Sequence, residues 1–505
     1  MNRLSTHQQQ ANTSAVRSLF SQTAEAVGET LLERLYWRAA NQPKQTAYQF
    51  LSDQPVSVAA SDLAAWSYQE LFKRVAQVAA SLTKAFNGQP ATKRLLLVYH
   101  PGLDFVAAFL GCLATGAVAV PVPPPQRHES LSRWQHVLTD ADISGVLTSQ
   151  SLKGKVEKLV KLSYPLAEVG MTDDSPFCWL VTDAESRNEV DLDPRLLLQK
   201  KNFSSQKLQQ EKSERSGDLL TLLSQQQVAR DAVAFLQYTS GSTSQPKGVR
   251  VTHANLACNL QQIQQAFGHS EQTRCVIWLP PHHDMGLIGG ILQPLYGGYP
   301  VTLMSPAAFL RRPVRWLEAI SHFGATTSGG PNFAYDYCVN KVSPKAIKSL
   351  DLTSWSVAFT GAEPVQAKTL SRFSEVFSSC GFQSSAFYPC YGLAESTLFV
   401  SGGSHVAKPT KLLLDRQALL ENWVKPVVET AVLEEDAAQL VSCGQAVNYQ
   451  LKIVNPETRA ISDRAEIGEV WLAGKSVAAG YWNRPEDTQE TFSATVLGNP
   501  STQFL

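Results

Sequence analysis

The segment YTSGSTSQPKGV, residues 238–249, carries more information about this chain than any other stretch. It follows the apolar run 232–238, which is typical of a strand, and a helical pattern begins soon after it, at Thr252. Glycine and small hydroxyl residues let backbone N–H groups approach a polyphosphate closely, and Lys247 adds a positive charge. The spacing is not that of a Walker A loop, which would require glycine where Pro246 stands. The segment therefore indicates either a phosphate-binding loop or a flexible turn rich in serine and glycine.

Strand-like and helical segments alternate on both sides of this loop. Residues 95–99 predict a strand, residues 105–115 a buried helix that ends at Gly116, and residues 117–122 another strand. Such alternation is typical of a mostly parallel sheet. We therefore predict an α/β chain with two α/β subdomains that have mostly parallel sheets, and a smaller β-rich subdomain.

The domain boundaries follow from shifts in composition. We predict a flexible N-terminal tail over 1–28, paired α/β subdomains over 29–404, and a β-rich subdomain over 405–505 with an insertion at about 405–440. Within the insertion, residues 415–440 have a polar, helical pattern. The polar segment 200–230 is rich in serine, glutamine and lysine, which indicates a surface connection.

Composition excludes several classes of protein. The 505 residues are 44% apolar and 17% charged, as in globular proteins, and the 44 basic residues balance the 44 acidic ones, which gives no support for nucleic-acid binding. The eight cysteines form no C-x-x-C pair, so we expect buried, reduced thiols. The N-terminus lacks the apolar core of a signal peptide, and the apolar run 105–120 is shorter than the roughly 18 residues that a membrane span needs. We therefore expect a cytoplasmic protein without a membrane span.

The order of residues in the loop resembles the phosphate loop of the adenylate-forming superfamily, which comprises acyl-CoA synthetases, peptide-synthetase adenylation domains and luciferases. Further segments resemble motifs of the same superfamily, in the expected order. They are WLPPHHDMG (278–286), FTGAEPV (359–365), YPCYGLAES (388–396) and GYWNRPE (480–486). Any one of them, taken alone, also fits an ordinary turn.

The resemblance implies ATP and Mg²⁺ as cofactors. It implies that the loop holds the phosphates, that Tyr391 stacks on the adenine, that the backbone near Gly361 contacts the edge of the base, and that Glu395 binds Mg²⁺. A carboxylate is a suitable hard ligand for this ion. The implied nucleotide-binding residues are Thr239, Ser240, Gly241, Ser242, Thr243, Lys247, Gly361, Ala362, Glu363, Pro364, Cys390, Tyr391, Gly392, Leu393 and Ala394.

The His-His-Asp run at 282–284 could suggest a metal site, but adjacent ligands without a partner cluster are poorly spaced for one. The resemblance instead places this segment beside the acyl carboxylate, with His282 or His283 in contact with the carboxylate or a phosphate. The implied catalytic residues are Lys247, Glu395 and His283. The implied acyl-pocket residues are His283, Asp284, Met285, Gly286, Ile288 and Gly329.

Three features are similar to those of the fatty acyl-AMP ligases within this superfamily: the run HDMGLIGG at 283–290, the sequence around Cys390, and the insertion at about 405–440. In that branch the insertion is thought to hinder the movement of the lid that admits coenzyme A. The implied activity is ATP-dependent conversion of a long-chain fatty acid to its acyl-adenylate, followed by transfer to the phosphopantetheine arm of an acyl carrier protein. The alternative for the insertion is a tolerated surface segment with no role.

Superfamily members continue beyond the equivalent of Leu505, where this sequence ends, with a ribose-binding Thr-Gly-Asp segment and a mobile lid domain that bears the catalytic lysine. We therefore expect either a shortened form of a longer enzyme or a module that binds the adenylate without turning it over. Without the lid lysine, adenylation should be slow, because that group neutralises charge in the transition state. A fatty acyl-CoA synthetase is the alternative enzyme.

Overall fold

The computed structural model describes most of the chain, but several of the predicted segments lie outside the described residues. The predicted tail 1–28, most of the polar connection 200–230, and positions 405–406 and 429–435 of the predicted insertion lie outside the described residues. The described residues are 30–52, 56, 63–125, 131–163, 177–183, 228–239, 245–404, 407–428 and 436–505.

A six-stranded sheet forms the first α/β unit, in the order β6-β5-β3-β4-β7-β8. All of its neighbouring strands are parallel except β7 and β8, which form an antiparallel hairpin around the candidate phosphate loop. Its strands are β3 (Arg94–Val98), β4 (Val118–Val122), β5 (Gly145–Thr148), β6 (Cys178–Val181), β7 (Val233–Tyr238) and β8 (Gly248–Thr252).

A nine-stranded sheet forms the second unit, in the order β17-β14-β13-β12-β11-β9-β10-β1-β2. The six strands from β13 to β1 in that order run parallel, and the strands at both edges are antiparallel, so the prediction of mostly parallel sheets is confirmed. Its strands are β1 (Thr46–Leu51), β2 (Ala64–Ser67), β9 (Cys275–Ile277), β10 (Val301–Met304), β11 (Thr327–Gly329), β12 (Val357–Thr360), β13 (Phe387–Gly392), β14 (Phe399–Gly402) and β17 (Gln445–Ala446).

Helices separate most of the parallel strands of both sheets. Between the second unit's β9 and β10 the chain forms a π-helix, Met285–Leu292, whose wider turn is often found at functional sites. The α-helices are α1 (Leu31–Asn41), α2 (Tyr68–Ala85), α3 (Leu103–Thr115), α4 (Leu131–Asp140), α5 (Gln150–Ser163), α6 (His253–Ala266), α7 (Gln293–Gly297), α8 (Pro306–Arg311), α9 (Val314–Phe323), α10 (Asn332–Lys341), α11 (Pro344–Ile347), α12 (Ala367–Phe377), α13 (Arg416–Leu420) and α14 (Pro485–Phe492).

The longest apolar run of the sequence forms helix α3, which is buried on all sides. It ends at Gly116, which adopts the left-handed conformation with φ of 71°, as predicted from the sequence. In the described parts of the chain, no helix combines the length and the apolar character that crossing a membrane requires.

The helix after the candidate loop, α6, begins with a capping box. The side chain of Thr252 accepts a hydrogen bond from the backbone N–H of Asn255, and the Asn255 side chain accepts one from the backbone of Thr252. The Thr252→Ala variant should lower the free energy of unfolding by about 1 kcal/mol, because it removes the side-chain acceptor of the Asn255 backbone N–H. Urea denaturation measures this, with Thr252→Ser, which keeps the hydroxyl, as the matched control. Equal losses in both variants would contradict a role for the cap.

The C-terminal part of the chain contains three small antiparallel pairs, β15 (Lys411–Asp415) with β16 (Ala437–Val441), β18 (Gln450–Val454) with β19 (Glu469–Ala473), and β20 (Ala494–Val496) with β21 (Asn499–Phe504). The predicted helical character of 415–440 is wrong for the described residues, where helix α13 is only five residues long. Pairing between β15 and β16 overrides the helical pattern, because strand pairing depends on a partner that is distant in sequence. The division at residue 405 stays a prediction.

Candidate active site

A cavity of about 180 Å³ opens beside the carboxyl ends of β12 and β13. Ligands of parallel α/β sheets bind at this edge, since loops diverge there. The cavity continues along the sheet to Thr327 at the start of β11, beneath the end of helix α6. Its wall is mostly apolar away from the mouth. The lining residues are Ile263, Phe267, His269, His283, Asp284, Met285, Gly289, Thr327, Phe359, Gly361, Ala362, Cys390, Tyr391, Gly392, Leu398 and Phe399.

The structure brings together predicted residues from three separate motifs at this cavity. The segment after β12, the end of β13 and the start of the π-helix all contribute to the lining. The predicted nucleotide-binding residues that line it are Gly361, Ala362, Cys390, Tyr391 and Gly392, and the predicted acyl-pocket residues that line it are His283, Asp284 and Met285.

Three of the predicted acyl-pocket residues do not line the cavity. Ile288 is fully buried in the core. A Cβ atom on Gly286 would lie 2.1 Å from the Pro280 carbonyl oxygen, and one on Gly329 would lie 2.1 Å from that of Phe359. Both glycines are therefore needed for close backbone packing behind the wall. The predicted nucleotide-binding residues Glu363, Pro364, Leu393 and Ala394 also lie outside the lining.

The lining residue Ala362, and Thr397 next to the lining residue Leu398, adopt a backbone conformation that is unusual for residues other than glycine. Ala362 has φ of 69° and Thr397, which is β-branched, has φ of 73°. Thr397 is held by a hydrogen bond of 2.7 Å from its hydroxyl to the carbonyl oxygen of Ser476. Such outliers persist where the surroundings impose them, and they cluster at functional sites.

The mouth of the cavity carries polar side chains on one side. His283 Nδ1 lies 2.9 Å from Asp284 Oδ1, and the same oxygen accepts a hydrogen bond of 2.6 Å from the Met285 N–H. Asp284 thereby caps the π-helix and orients the imidazole ring toward the cavity entrance. Burial raises the pKa of the Cys390 thiol to about 12, so this lining cysteine is protonated at neutral pH and is not a thiolate nucleophile.

The base of the candidate phosphate loop is closed by the β7–β8 hairpin. The Thr239 N–H donates a hydrogen bond of 3.1 Å to the Lys247 carbonyl oxygen. Four predicted contact residues of the loop, Ser240, Gly241, Ser242 and Thr243, lie outside the described residues. Their part in binding stays a prediction.

Helix α4 holds both ends of this loop. His136 Nε2 donates to the Pro246 carbonyl oxygen at 2.7 Å, and the Tyr238 hydroxyl donates to Asp140 Oδ2 at 2.7 Å. Asp140 also forms an ion pair of 3.4 Å with Arg484. The loop is therefore anchored at its two ends to one helix of the same sheet.

The structure brings the predicted Lys247 and Glu395 to the same side chain, Tyr481. The Lys247 ammonium lies 4.9 Å from the centroid of the Tyr481 ring, and the Tyr481 hydroxyl donates a hydrogen bond of 2.8 Å to Glu395 Oε1. Lys247 also pairs with Asp487 at 3.2 Å. Burial, followed by the charge of Glu395, raises the pKa of Tyr391, a half-exposed ring on the cavity wall. The candidate site therefore joins the loop, the Glu395 turn and the segment before α14.

Sequence reasoning missed the residues that support these groups. Tyr481 belongs to the GYWNRPE motif, for which the resemblance implies no residue role, and Asp487 lies just beyond this motif. The apolar wall residues Ile263, Phe267 and Phe399 carry no sequence signal that separates them from core residues, because their apolar neighbours in the sequence are buried as well.

The oxygen ligands available at the site fit a Mg²⁺ ion that is also bound by the phosphates of a nucleotide. In the described parts of the chain, no three His, Cys, Asp or Glu side chains form a group that could hold a metal ion alone. Oε2 of Glu395 has no hydrogen-bond partner among the described residues, whereas Oε1 accepts a hydrogen bond from the Tyr481 hydroxyl. One hard carboxylate oxygen suits Mg²⁺, which takes one or two carboxylates and completes its shell with phosphate oxygens and water.

Residues 35–482 match the family described as AMP-binding enzyme. The chain is 37% identical over 480 residues to JamA of Moorena producens, a medium-chain fatty acid–acyl-carrier-protein ligase. The matched region covers 94% of this chain and 73% of JamA. The chain is 32% identical over 494 residues to FadD21 of Mycobacterium tuberculosis, a putative fatty-acid–CoA ligase, covering 94% of this chain and 76% of the relative.

Solved structures are similar as well. The fatty acid AMP ligase of Legionella pneumophila superposes with a TM-score of 0.76 at 34% identity, covering 94% of this chain and 74% of that one. A fatty acyl-adenylate ligase of L. pneumophila, in complex with acyl adenylate and pyrophosphate, superposes with a TM-score of 0.77 at 33% identity, with the same coverage.

Proposed function

Since this chain belongs to the AMP-binding enzyme family, we propose that it activates a fatty acid as its acyl-adenylate for transfer to an acyl carrier protein. The activity rests on the family and on the named relatives, a fatty acid–acyl-carrier-protein ligase and a fatty acyl-adenylate ligase. The residue roles below are our own assignment.

One observation carries the assignment of the site. A single cavity joins the segment proposed to contact adenine, at Gly361 and Tyr391, to an apolar wall that includes Phe267 and Phe399. An acyl-adenylate has a polar nucleotide end and an apolar tail, so a cavity of this composition can hold both ends of it at once. Two buried polar residues of the lining, His269 and Thr327, are hydrogen-bonded to each other at 3.3 Å.

The reaction requires positioning and charge neutralisation rather than a covalent nucleophile. The fatty carboxylate attacks the α-phosphorus of ATP, the bond to the β-phosphate oxygen breaks, and pyrophosphate leaves with the electron pair. Lys247 supports the departing phosphates, His283 lies near the incoming carboxylate, and Glu395 supplies an oxygen ligand. Mg²⁺, when bound there, neutralises charge on the phosphate oxygens.

Mass spectrometry of the products tests the function. The protein is supplied with ATP, Mg²⁺, a mixture of fatty acids and a phosphopantetheinylated carrier protein, and acyl-adenylate and acyl-carrier protein are expected. A parallel reaction with coenzyme A tests the second candidate, a fatty acyl-CoA synthetase, which the name of FadD21 favours. Acyl-CoA without acyl-carrier protein would reverse our choice of acceptor, and the absence of any adenylate would contradict both enzymes in favour of a module that binds the adenylate without turning it over.

The Lys247–Asp487 ion pair predicts that this carboxylate competes with phosphate. Lys247 must leave Asp487, 3.2 Å away, to approach pyrophosphate, and both side chains are partly exposed. The Asp487→Asn variant should therefore bind pyrophosphate about two- to fivefold more tightly, the range expected for a partly exposed pair. Calorimetry measures this, with Glu486→Gln, the neutralisation of the neighbouring exposed acid, as the control. Weaker binding by Asp487→Asn would show that the carboxylate instead holds Lys247 in place for phosphate.

A further inference from the structure

The chain segment between β19 and α14 is attached to two parts of the proposed site through its backbone. The Trp482 N–H donates to the Gly248 carbonyl oxygen at 2.8 Å, and the Arg250 N–H donates to that of Gly480 at 2.9 Å. Two positions before Gly480, the Ala478 N–H donates to the Glu395 carbonyl oxygen at 2.8 Å. The segment therefore connects strand β8, at the end of the candidate phosphate loop, to the turn that carries Glu395.

Tyr481 lies in the middle of this segment and is nearly inaccessible to solvent, with 7% of its surface exposed. Its ring packs edge to face against Phe492, with centroids 5.3 Å apart. Its backbone N–H donates to the Thr488 hydroxyl oxygen at 2.9 Å. Because backbone, ring and hydroxyl are all held, the side chain is a rigid support rather than a mobile one.

The two ends of this side chain contact the two groups on which the proposed chemistry depends. The hydroxyl donates to Oε1 of Glu395, whose Oε2 has no hydrogen-bond partner among the described residues, and the Lys247 ammonium lies over the ring. A buried hydrogen bond to a carboxylate fixes its orientation, and an ammonium over an aromatic face is attracted by the ring quadrupole. One side chain thus sets the distance between a cation and an anion that are far apart in the sequence.

We propose that Tyr481 is a positioning residue for adenylate formation, whose hydroxyl orients the Glu395 carboxylate toward phosphate-bound Mg²⁺ and whose ring supports Lys247 beside the phosphates. This inference rests on the proposed function. It assigns to the GYW motif a role in the nucleotide site itself. A tyrosine that only packs against Phe492 would contribute to folding but would leave the dependence of nucleotide binding on Mg²⁺ unchanged.

The two contacts can be separated by substitution. Tyr481→Phe removes the hydroxyl and keeps the ring, and Tyr481→Leu removes both. Tyr449→Phe is the matched control, because the Tyr449 hydroxyl donates to the Ser396 carbonyl oxygen at 3.0 Å and so holds the same turn without touching the Glu395 carboxylate.

The experiment is calorimetric titration of the 505-residue protein with the non-hydrolysable analogue α,β-methylene-ATP over a range of Mg²⁺ concentrations. Tyr481→Phe should raise the Mg²⁺ concentration needed for half-maximal strengthening of binding by about tenfold, the lower end of the effect of losing a partner that orients a metal ligand. Its affinity for the analogue in excess EDTA should match that of the wild type. Tyr481→Leu should in addition weaken binding in EDTA by about two- to fivefold, through loss of the cation–π contact.

Thermal unfolding of each variant separates these effects from damage to the fold. Tyr449→Phe should lower the unfolding temperature and leave the Mg²⁺ dependence unchanged. A wild-type Mg²⁺ dependence in Tyr481→Phe, or an equal shift in Tyr449→Phe, would overturn this inference and leave the proposed function intact. A wild-type protein that binds the analogue neither with nor without Mg²⁺ would overturn the proposed function and this inference together.

Discussion

The Glu395→Ala variant is expected to form acyl-adenylate about a hundredfold more slowly than the wild type, or slower still, as when one preorganised electrostatic group is lost from an active site. Glu395 and Lys247 both contact Tyr481, and the second carboxylate oxygen of Glu395, Oε2, is our proposed Mg²⁺ ligand. Removing the carboxylate removes the proposed Mg²⁺ ligand, so the negative charge that develops on the departing pyrophosphate is less well neutralised. ATP–pyrophosphate exchange measures the effect.

Two further variants identify the cause of that loss. Glu395→Gln has nearly the same shape and can still accept from the Tyr481 hydroxyl, so a comparable loss in this variant would assign the effect to charge. Glu375→Ala removes an exposed acid from helix α12 and should exchange pyrophosphate at the wild-type rate. Exchange at the wild-type rate in Glu395→Ala would remove Glu395 from the mechanism.

The second large effect is expected at Gly289, in the π-helix that forms part of the cavity wall. A Cβ atom there would lie 3.5 Å from Leu398 Cδ2, an ordinary contact, so the backbone tolerates a side chain. A leucine at this position would occupy space that we assign to the acyl tail. Each CH₂ group that is excluded from the cavity loses about 0.8 kcal/mol of favourable burial free energy. An acyl tail with four excluded CH₂ groups should therefore bind about a hundredfold more weakly.

The measurement is the ratio of kcat/KM for dodecanoate to that for hexanoate, which should fall by about a hundredfold in Gly289→Leu. Calorimetry with dodecanoyl and hexanoyl adenylate analogues gives the same ratio without turnover. Gly154→Leu is the control, because Gly154 lies on helix α5 with open space around its Cα. Equal losses with both substrates would indicate general damage, and no loss with either would show that the tail lies elsewhere.

Strand β7 and helix α6, on either side of the candidate phosphate loop, were predictable from the sequence because their signals are local, whereas strand β8 between them was not predicted. The apolar run before the loop predicts a strand, and Thr252 three residues before Asn255 predicts the start of helix α6. Helix α3, ending at Gly116, was predictable for the same reason. Each of these elements depends on side chains within a few positions of one another.

The short antiparallel strand pairs in the C-terminal part of the chain were only partly predictable from the sequence. Strands β18 and β19 are short apolar runs with a turn signal, Asn455-Pro456, between them, whereas the β15–β16 pair lies where a helical pattern was expected. Cross-strand contacts decide such segments, and residues 411 and 441 of that pair meet only after the chain has folded.

The sequence by itself determined the order of the elements, the family motifs and the identity of the charged residues Lys247 and Glu395, because these are properties of short contiguous segments. Only the tertiary structure decided that Tyr481 contacts both of them, that Asp487 is paired with Lys247, and which apolar side chains form a cavity wall rather than the core. These are contacts between residues far apart in the chain. Their geometry is set by how two sheets and the segment before α14 pack together, and no local pattern contains that packing.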